Sequence, residues 1–202
     1  MKTAIVAGTI VAALSFSLPA VAATTTKYQF KGQNAFASFY QYDECNSTSA
    51  YVTAFTSRVK DGPGAPTAQM GADFYYYNYD YCNGTYSEGY GSSPDANFTI
   101  DNQLSSASLN GTFIVYDYWS GTSKTASVAL TWTGVGSTSN DKYSYTYQTP
   151  RYMTRYRSNG SFREAQAAGS VTIDGINLIE NLSSYGSLGS SRSGSFERIT
   201  RR

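Results

Sequence analysis

The side chains most often used in catalysis are scarce in this sequence. It has 202 residues and no histidine, and its only thiols are Cys45 and Cys82. Without histidine, neither a Ser-His-Asp nor a Cys-His arrangement can form, and the commonest transition-metal ligand is missing. Two cysteines alone also argue against a structural zinc site. We therefore predict no catalytic residue of these kinds, no metal site and no cofactor.

The acidic residues leave one catalytic alternative open. Glycoside hydrolysis uses two carboxyl groups about 5 to 10 Å apart. The sequence does not select a pair among the candidates, which are Asp73, Asp80, Glu88, Asp117 and Glu164. A hydrolase with paired carboxylates is therefore kept as an alternative.

A run of tyrosines is the first candidate binding surface. In a strand, alternate residues share a face. Tyr75, Tyr77, Tyr79 and Tyr81 would therefore point to one side, with Phe74 on the other. Exposed tyrosine rings suit the C–H faces of sugars, and their hydroxyls can hydrogen-bond. The alternative is aromatic packing between strands that only stabilises the sheet.

A group of arginines is the second candidate surface. Arg151, Arg155 and Arg157 alternate along one strand, and Arg163 would lie near by across a turn. Guanidinium groups bind sulfate, phosphate or acidic sugars well. Neighbouring tyrosines would also suit single-stranded nucleic acid, but near-neutral charge and export argue against nucleic acid. The alternative is a solvated strand face held by an Arg155–Glu164 pair.

The N-terminus has the three parts of a secretory signal peptide. A positive start at residues 1–3 precedes the apolar stretch 5–18, and small residues follow at 20–23. The stretch is shorter than the ~20 residues of a membrane-spanning helix, which argues against a retained membrane anchor. A retained anchor is kept as the alternative. We predict that residues 1–23 direct export of a bacterial type, to the periplasm or beyond the cell. Without Lys2 the charges balance, at 14 of each sign.

The rest of the composition is typical of β-structure. Tyr, Thr, Ser, Val and Phe are frequent, which suits pleated surfaces, and turn signals recur at short intervals. We predict a single antiparallel β-sandwich over residues 24–182, with an open β-barrel as the alternative. Residues 183–202 form a Gly/Ser-rich segment, predicted to be a flexible loop to about residue 195 with a possible last strand at 195–199.

Three hairpins follow from the turn signals. The first joins Cys45 and Cys82 at its open end, with Tyr51 opposite Tyr76. In an exporting cell this pair should oxidise to a disulfide; two free buried thiols are the alternative.

The second predicted hairpin pairs Phe113 with Leu130 and turns at residues 121–122. In this register Trp132 covers Gly111. The third turns at Asn159-Gly160, the strongest short hairpin signal.

Several segments resemble a loose group of uncharacterised secreted β-rich proteins. They are the stretch SLNGTFIVYDYWSGTSKTASVALTWTGV at 108–135, an earlier ASF at 37–39, and RSNGSFREAQAAG at 157–169. The resemblance covers most of the chain after the signal peptide. It implies a secreted β-rich fold and no particular activity or site residue.

The residues favour a non-catalytic exported protein that binds a glycan or an envelope polymer. A structural or surface protein that associates with its own copies through sheet edges is the second hypothesis. The hydrolase is the third.

Overall fold

The computed structural model describes residues 23–200, which form strands joined by turns. The predicted signal peptide lies outside these residues, apart from Ala23. The strands are β1 (Ala23–Tyr42), β2 (Asn46–Asp61), β3 (Thr67–Asp80), β4 (Thr85–Ser93), β5 (Asn97–Ile100), β6 (Ser106–Asp117), β7 (Thr122–Gly134), β8 (Ser139–Gln148), β9 (Tyr152–Ile173), β10 (Ile176–Asn177) and β11 (Ser183–Thr200).

Antiparallel pairing joins eight of the strands into an uneven ring. The order is β9, β11, β1, β2, β3, β4, β6 and β7, and β7 closes on β9. One apolar core fills the ring, with Trp132, Phe74 and Phe113 among its largest buried side chains. The predicted all-β, antiparallel, sandwich-like fold is confirmed. Within residues 23–200, no helix has the length and apolar character needed to cross a membrane.

The first hairpin is formed by β2 and β3, and the predicted Cys45–Cys82 disulfide closes its open end. The register differs from the prediction by one residue, because Tyr51 lies opposite Tyr75. Cys82 lies beyond the paired strands, in a turn that begins at Asp80. The Asp80 carboxylate accepts hydrogen bonds from the backbone amides of Cys82 and Asn83. The disulfide therefore joins two neighbouring turns rather than two directly paired strand residues.

The second hairpin, β6 with β7, has the predicted faces but another register. Phe113 lies opposite Ala126 rather than Leu130. Asp117 sets this register, because its carboxylate accepts hydrogen bonds from the amides two and three residues further on. The turn occupies residues 118–121. Since the shift is an even number of residues, every side chain keeps its predicted side of the sheet.

The third predicted hairpin is wrong. Asn159 and Gly160 lie inside the continuous strand β9, paired with β8 on one edge and with β11 on the other. Hydrogen bonding on both edges satisfies the backbone and outweighs the local preference for a turn. The turn lies instead around Pro150, where the Thr149 amide donates to the Tyr152 carbonyl.

The predicted flexible loop at 183–195 is also wrong, because these residues form the first part of β11. Small side chains let β11 fit beneath bulky neighbours. A Cβ on Gly186 would lie 3.1 Å from the indole of Trp132. Trp132 therefore covers Gly186 rather than Gly111, and its indole N–H donates to the Phe36 carbonyl at 2.8 Å.

Gly169 and Gly160 provide a test of the continuous strand β9. Gly169 has φ of 140°, and a Cβ there would lie 2.0 Å from the Ala129 carbonyl oxygen. We expect Gly169→Ala to lower the free energy of unfolding by more than about 2 kcal/mol. Gly160→Ala should change it by less than about 1 kcal/mol, because its Cβ would meet Ser190 at an ordinary 3.6 Å.

Urea unfolding of both variants measures the difference. A large loss of unfolding free energy in Gly160→Ala would indicate a tight turn at Asn159-Gly160 and contradict the structure.

Candidate functional site

Several strands are longer than the ring they build. The core ends near the level at which Ala35 of β1, Leu188 of β11 and Ala54 of β2 lie side by side. Beyond this level β1, β2, β9 and β11 stay paired, the start of β3 stays paired with β2, and β8 is added at the edge of β9. We call this part the sheet extension. β8 is exposed along its whole length, so the extension has little apolar burial of its own.

One face of the sheet extension carries most of the positive charge of the protein. The registers run without a bulge, so residues beyond the core keep the alternation of the core residues. The side of the sheet that faces the core therefore continues outwards as one surface. We call this surface the basic face, and its cations are Lys27, Lys31, Arg58, Lys60, Lys142, Arg155, Arg157, Arg192 and Arg198.

The acidic residues of the sheet extension lie on its other face. They are Asp61, Asp141 and Glu197, and Glu164 lies on the same side of the sheet where the extension meets the core. Tyrosines from β8 and β9 share that face, and the hydroxyl of Tyr152 donates to Glu197. The sheet extension thus separates cations from carboxylates and tyrosines by the simple alternation of its strands.

No carboxylate neutralises the basic face. Within residues 23–200, the ion pairs are Lys124 with Asp117 and Lys124 with Asp174, and both lie outside the sheet extension. None of the nine cations of the basic face takes part in either pair. Cations without an ion-pair partner repel each other, so this surface favours a ligand that brings negative charge.

Open depressions follow the basic face. One, of about 550 Å³, is lined mainly by apolar surface together with Lys31, Arg58, Lys60 and Arg157. A more polar one, of about 420 Å³, shares Lys31, Asn159 and Arg192 with it. The stems of long basic side chains and the charged ends together can hold a chain-like ligand.

Arg163 lies where the basic face meets the core. It lies opposite Leu188, and its side chain passes over Gly134, where a Cβ would come within 2.8 Å of Nε. Nε is buried and has no hydrogen-bond partner. Arg163 is thus a guanidinium with unused hydrogen-bonding capacity at the inner end of the face.

The structure brings together three of the four predicted arginines. Arg155, Arg157 and Arg163 share one side of β9, although β9 is one strand rather than a hairpin. Arg151 lies in the turn before β9, where its carbonyl accepts a hydrogen bond from the Thr200 amide. The predicted Arg155–Glu164 pair is wrong, because an odd separation along one strand places these side chains on opposite faces.

Sequence reasoning missed the cations that other strands contribute. Lys27 and Lys31 lie on one face of β1, with Tyr28 and Phe30 on the other, and Val59 separates Arg58 from Lys60 in the same way on β2. That alternation was visible in the sequence. The pairing of β11 with both β1 and β9, which places Arg192 in the centre, was not.

The predicted tyrosine run has the expected alternation. Phe74 and Tyr76 are buried, whereas Tyr75, Tyr77 and Tyr79 are half-buried and Tyr81 is exposed. The rings contact aromatic neighbours along and across strands, as in the Tyr51–Tyr75 and Tyr79–Tyr86 pairs. These contacts are those of a packed sheet surface.

Glu88 lies among these tyrosines and is held ionised. Its carboxylate accepts hydrogen bonds from the hydroxyls of Tyr86 and Tyr75, which lower the pKa of Glu88. The hydrogen bond from Tyr86 to Glu88 in turn raises the pKa of Tyr86 to about 12. Desolvation and the hydrogen bond to Glu88 raise the pKa of Tyr75 well above its usual range.

Three of the candidate carboxylates, Asp80, Glu88 and Asp117, do not have the pKa of a general acid. A general acid needs a raised pKa. Hydrogen bonds from Asn83 lower the pKa of Asp80. The hydrogen bonds from the two tyrosine hydroxyls lower the pKa of Glu88. Burial opposes ionisation of Asp117, but hydrogen bonds from the Ser120 and Trp119 amides and contact with Lys124 lower its pKa overall.

No protein-family model matches the chain, and no curated protein matches it. The resemblance of the 108–135 segment to secreted β-rich proteins therefore stays a prediction, and the function has to be argued from the surface itself.

Glu88→Gln tests the tyrosine network. Because the pKa of Glu88 is lower in the folded protein than in the unfolded chain, its stabilising effect is present above the unfolded pKa and lost as pH falls. The variant should therefore lose less stability than the wild type between about pH 5 and pH 3. The pKa of Tyr86 should also be lower in the variant than in the wild type, because the carboxylate that raises it is gone.

Thermal melts across this pH range and NMR titration of the tyrosine rings measure both effects. Glu180→Gln, far from the tyrosines in sequence and exposed, is the control. An unchanged Tyr86 pKa in Glu88→Gln would contradict the network.

Proposed function

We propose that this protein is an exported, non-catalytic binding protein whose basic face holds an acidic polysaccharide or an acidic envelope polymer. The observation that carries this proposal is the set of nine cations on one face with no carboxylate among them. A neutral protein that collects its positive charge on one surface is suited to a ligand of the opposite sign.

The side chains of the basic face suit oxyanions. Five of the nine cations are arginines, whose planar forks make paired hydrogen bonds to carboxylate, sulfate or phosphate. Strands hold these groups at fixed intervals, so several can engage one polymer at the same time. Weak individual contacts then add up along the chain of the ligand.

The arrangement favours an acidic glycan over nucleic acid. Binding of single-stranded nucleic acid combines cations with aromatic rings on which bases stack. On the basic face the one aromatic residue is Phe196, because Tyr152, Tyr156 and the tyrosines of β8 lie on the opposite side. The surface therefore offers charge without a stacking platform.

The export expected from the sequence supports the same choice. The Cys45–Cys82 disulfide suits an oxidising compartment, and the N-terminal sequence has the pattern of a signal peptide. In the periplasm or outside the cell, acidic polysaccharides and envelope polymers are the abundant polyanions that such a face would meet.

Self-association is a second candidate, carried by the exposed strand β8. β8 pairs with β9 on one edge only, and its side chains are exposed on both faces. A free edge can pair with another copy. Asp141 and Lys142 lie in this strand, and charges on an edge strand oppose such pairing, so we place this candidate second.

Dextran sulfate and dextran test the proposal, since they share a backbone and differ in charge. The disulfide-bonded protein without residues 1–23 should bind dextran sulfate and not dextran. Binding should weaken as salt rises, because salt screens exposed charges. Arg157→Gln with Arg192→Gln should weaken binding at least about tenfold, or about 1.4 kcal/mol. Arg151→Gln, off the face, should change it little.

Biolayer interferometry measures the affinities, and gel filtration measures the size of the protein at several concentrations. No binding to dextran sulfate or polygalacturonate at low salt would end the proposal. Tighter binding to single-stranded DNA than to either polymer would replace the glycan with nucleic acid. A size that grows with concentration, without polymer binding, would favour self-association.

A further inference from the structure

The cations of the basic face are not spread evenly. Lys31 of β1 is paired directly with Arg192 of β11 on one side and with Arg58 of β2 on the other. At the same level, Arg192 is paired with Asn159 of β9, and Asn159 with Lys142 of β8. These five residues form one line across five strands, which we call the cross-strand row.

Other levels of the basic face lack such direct neighbours. Phe196 separates Arg155 from Lys27 at one level. At the level between, Gly194 and Gln29 separate Arg157 from Lys60. The cross-strand row is thus the place where three cations occupy adjacent strands with nothing between them.

Folding alone does not favour this arrangement. Like charges directly opposite each other on paired strands destabilise the sheet, and no carboxylate lies within ion-pair distance of these three side chains in the described part of the chain. Burial does not explain it, because Lys31, Arg58 and Arg192 are all exposed. Residues that destabilise the folded protein are often found at binding sites, where the ligand compensates for the unfavourable interaction.

The cross-strand row also lies where the depressions meet. Lys31, Asn159 and Arg192 line both the 550 Å³ depression and the 420 Å³ one. Arg58 lines the larger of them. A ligand that follows the row would therefore occupy concave surface while it contacts all three adjacent cations.

Resting on the proposed function, we propose that the acidic polymer lies across the strands, along the cross-strand row, rather than parallel to them. Adjacent strands are about 4.8 Å apart, so Lys142 and Arg58 are separated by roughly 19 Å across four strand intervals. The ligand is then a linear polymer whose acidic groups repeat at about 5 or 10 Å, matching one or two strand intervals. Arg192, Lys31 and Arg58 hold consecutive groups at the centre, and the Asn159 amide donates a hydrogen bond between Arg192 and Lys142.

Two triple variants with the same loss of charge test the row. One replaces Lys31, Arg58 and Arg192 with Gln, and the other replaces Lys27, Arg155 and Arg157. Each removes one lysine and two arginines, all exposed and all on the basic face. Dextran sulfate is the probe, with its affinity measured at one fixed salt concentration.

We expect the first variant to weaken binding at least tenfold more than the second. Equal weakening, or a larger effect of the second variant, would overturn the cross-strand row and leave the proposed function standing. Failure of the wild type to bind dextran sulfate or polygalacturonate would instead overturn the proposed function, so the two failures are distinguishable.

Thermal melts at low salt give a second, independent measurement. Because removal of the row relieves direct repulsion, the first variant should melt above the wild type, and high salt should reduce the difference. The second variant should melt close to the wild type. A lower melting temperature for the first variant at both salt concentrations would make the row a structural feature and overturn the proposal.

Discussion

The structure depends on strands that are longer than the core they enclose. A strand alternates its side chains between two faces along its whole length, whether or not one face is covered. In β1, β9 and β11 the same alternation therefore serves two purposes. Within the ring it places Ala35, Leu188 and Ala165 in the core. Beyond the ring it places Lys31, Arg192 and Arg157 on the continuation of the same side.

This continuity makes the uniform register important. A single bulge in β1 or β11 would move the residues beyond it to the other face. The core residues on one side of the bulge would keep their positions. The cations on the other side would move to the face that carries the tyrosines and carboxylates. The packed core thus fixes the position of charges with which it has no contact, because Trp132, Gly186 and their neighbours hold the strands in one register.

Sequence reasoning was reliable where one local feature decided the outcome. The alternation of Tyr75 to Tyr81 and the Cys45–Cys82 disulfide followed from period and chemistry alone. It failed where pairing partners decided. Asn159-Gly160 is a strong turn signal, but β8 and β11 pair with it on both sides, and neither partner was predicted. Pro150 marked the real turn. The basic face as a whole could not be predicted for the same reason, since its cations come from five strands whose pairing was not predicted.

The two faces of the sheet extension would also affect how the protein approaches the proposed acidic polymer. Cations on one side and Asp61, Asp141, Glu164 and Glu197 on the other give the sheet a charge separation perpendicular to its plane. A molecule of near-zero net charge with such a separation is not strongly drawn to every polyanion it passes. Close to a charged surface it is rotated instead, so that encounters occur with the productive side forward. For the proposed polymer, selectivity would then begin during diffusion, before any side chain contacts the ligand.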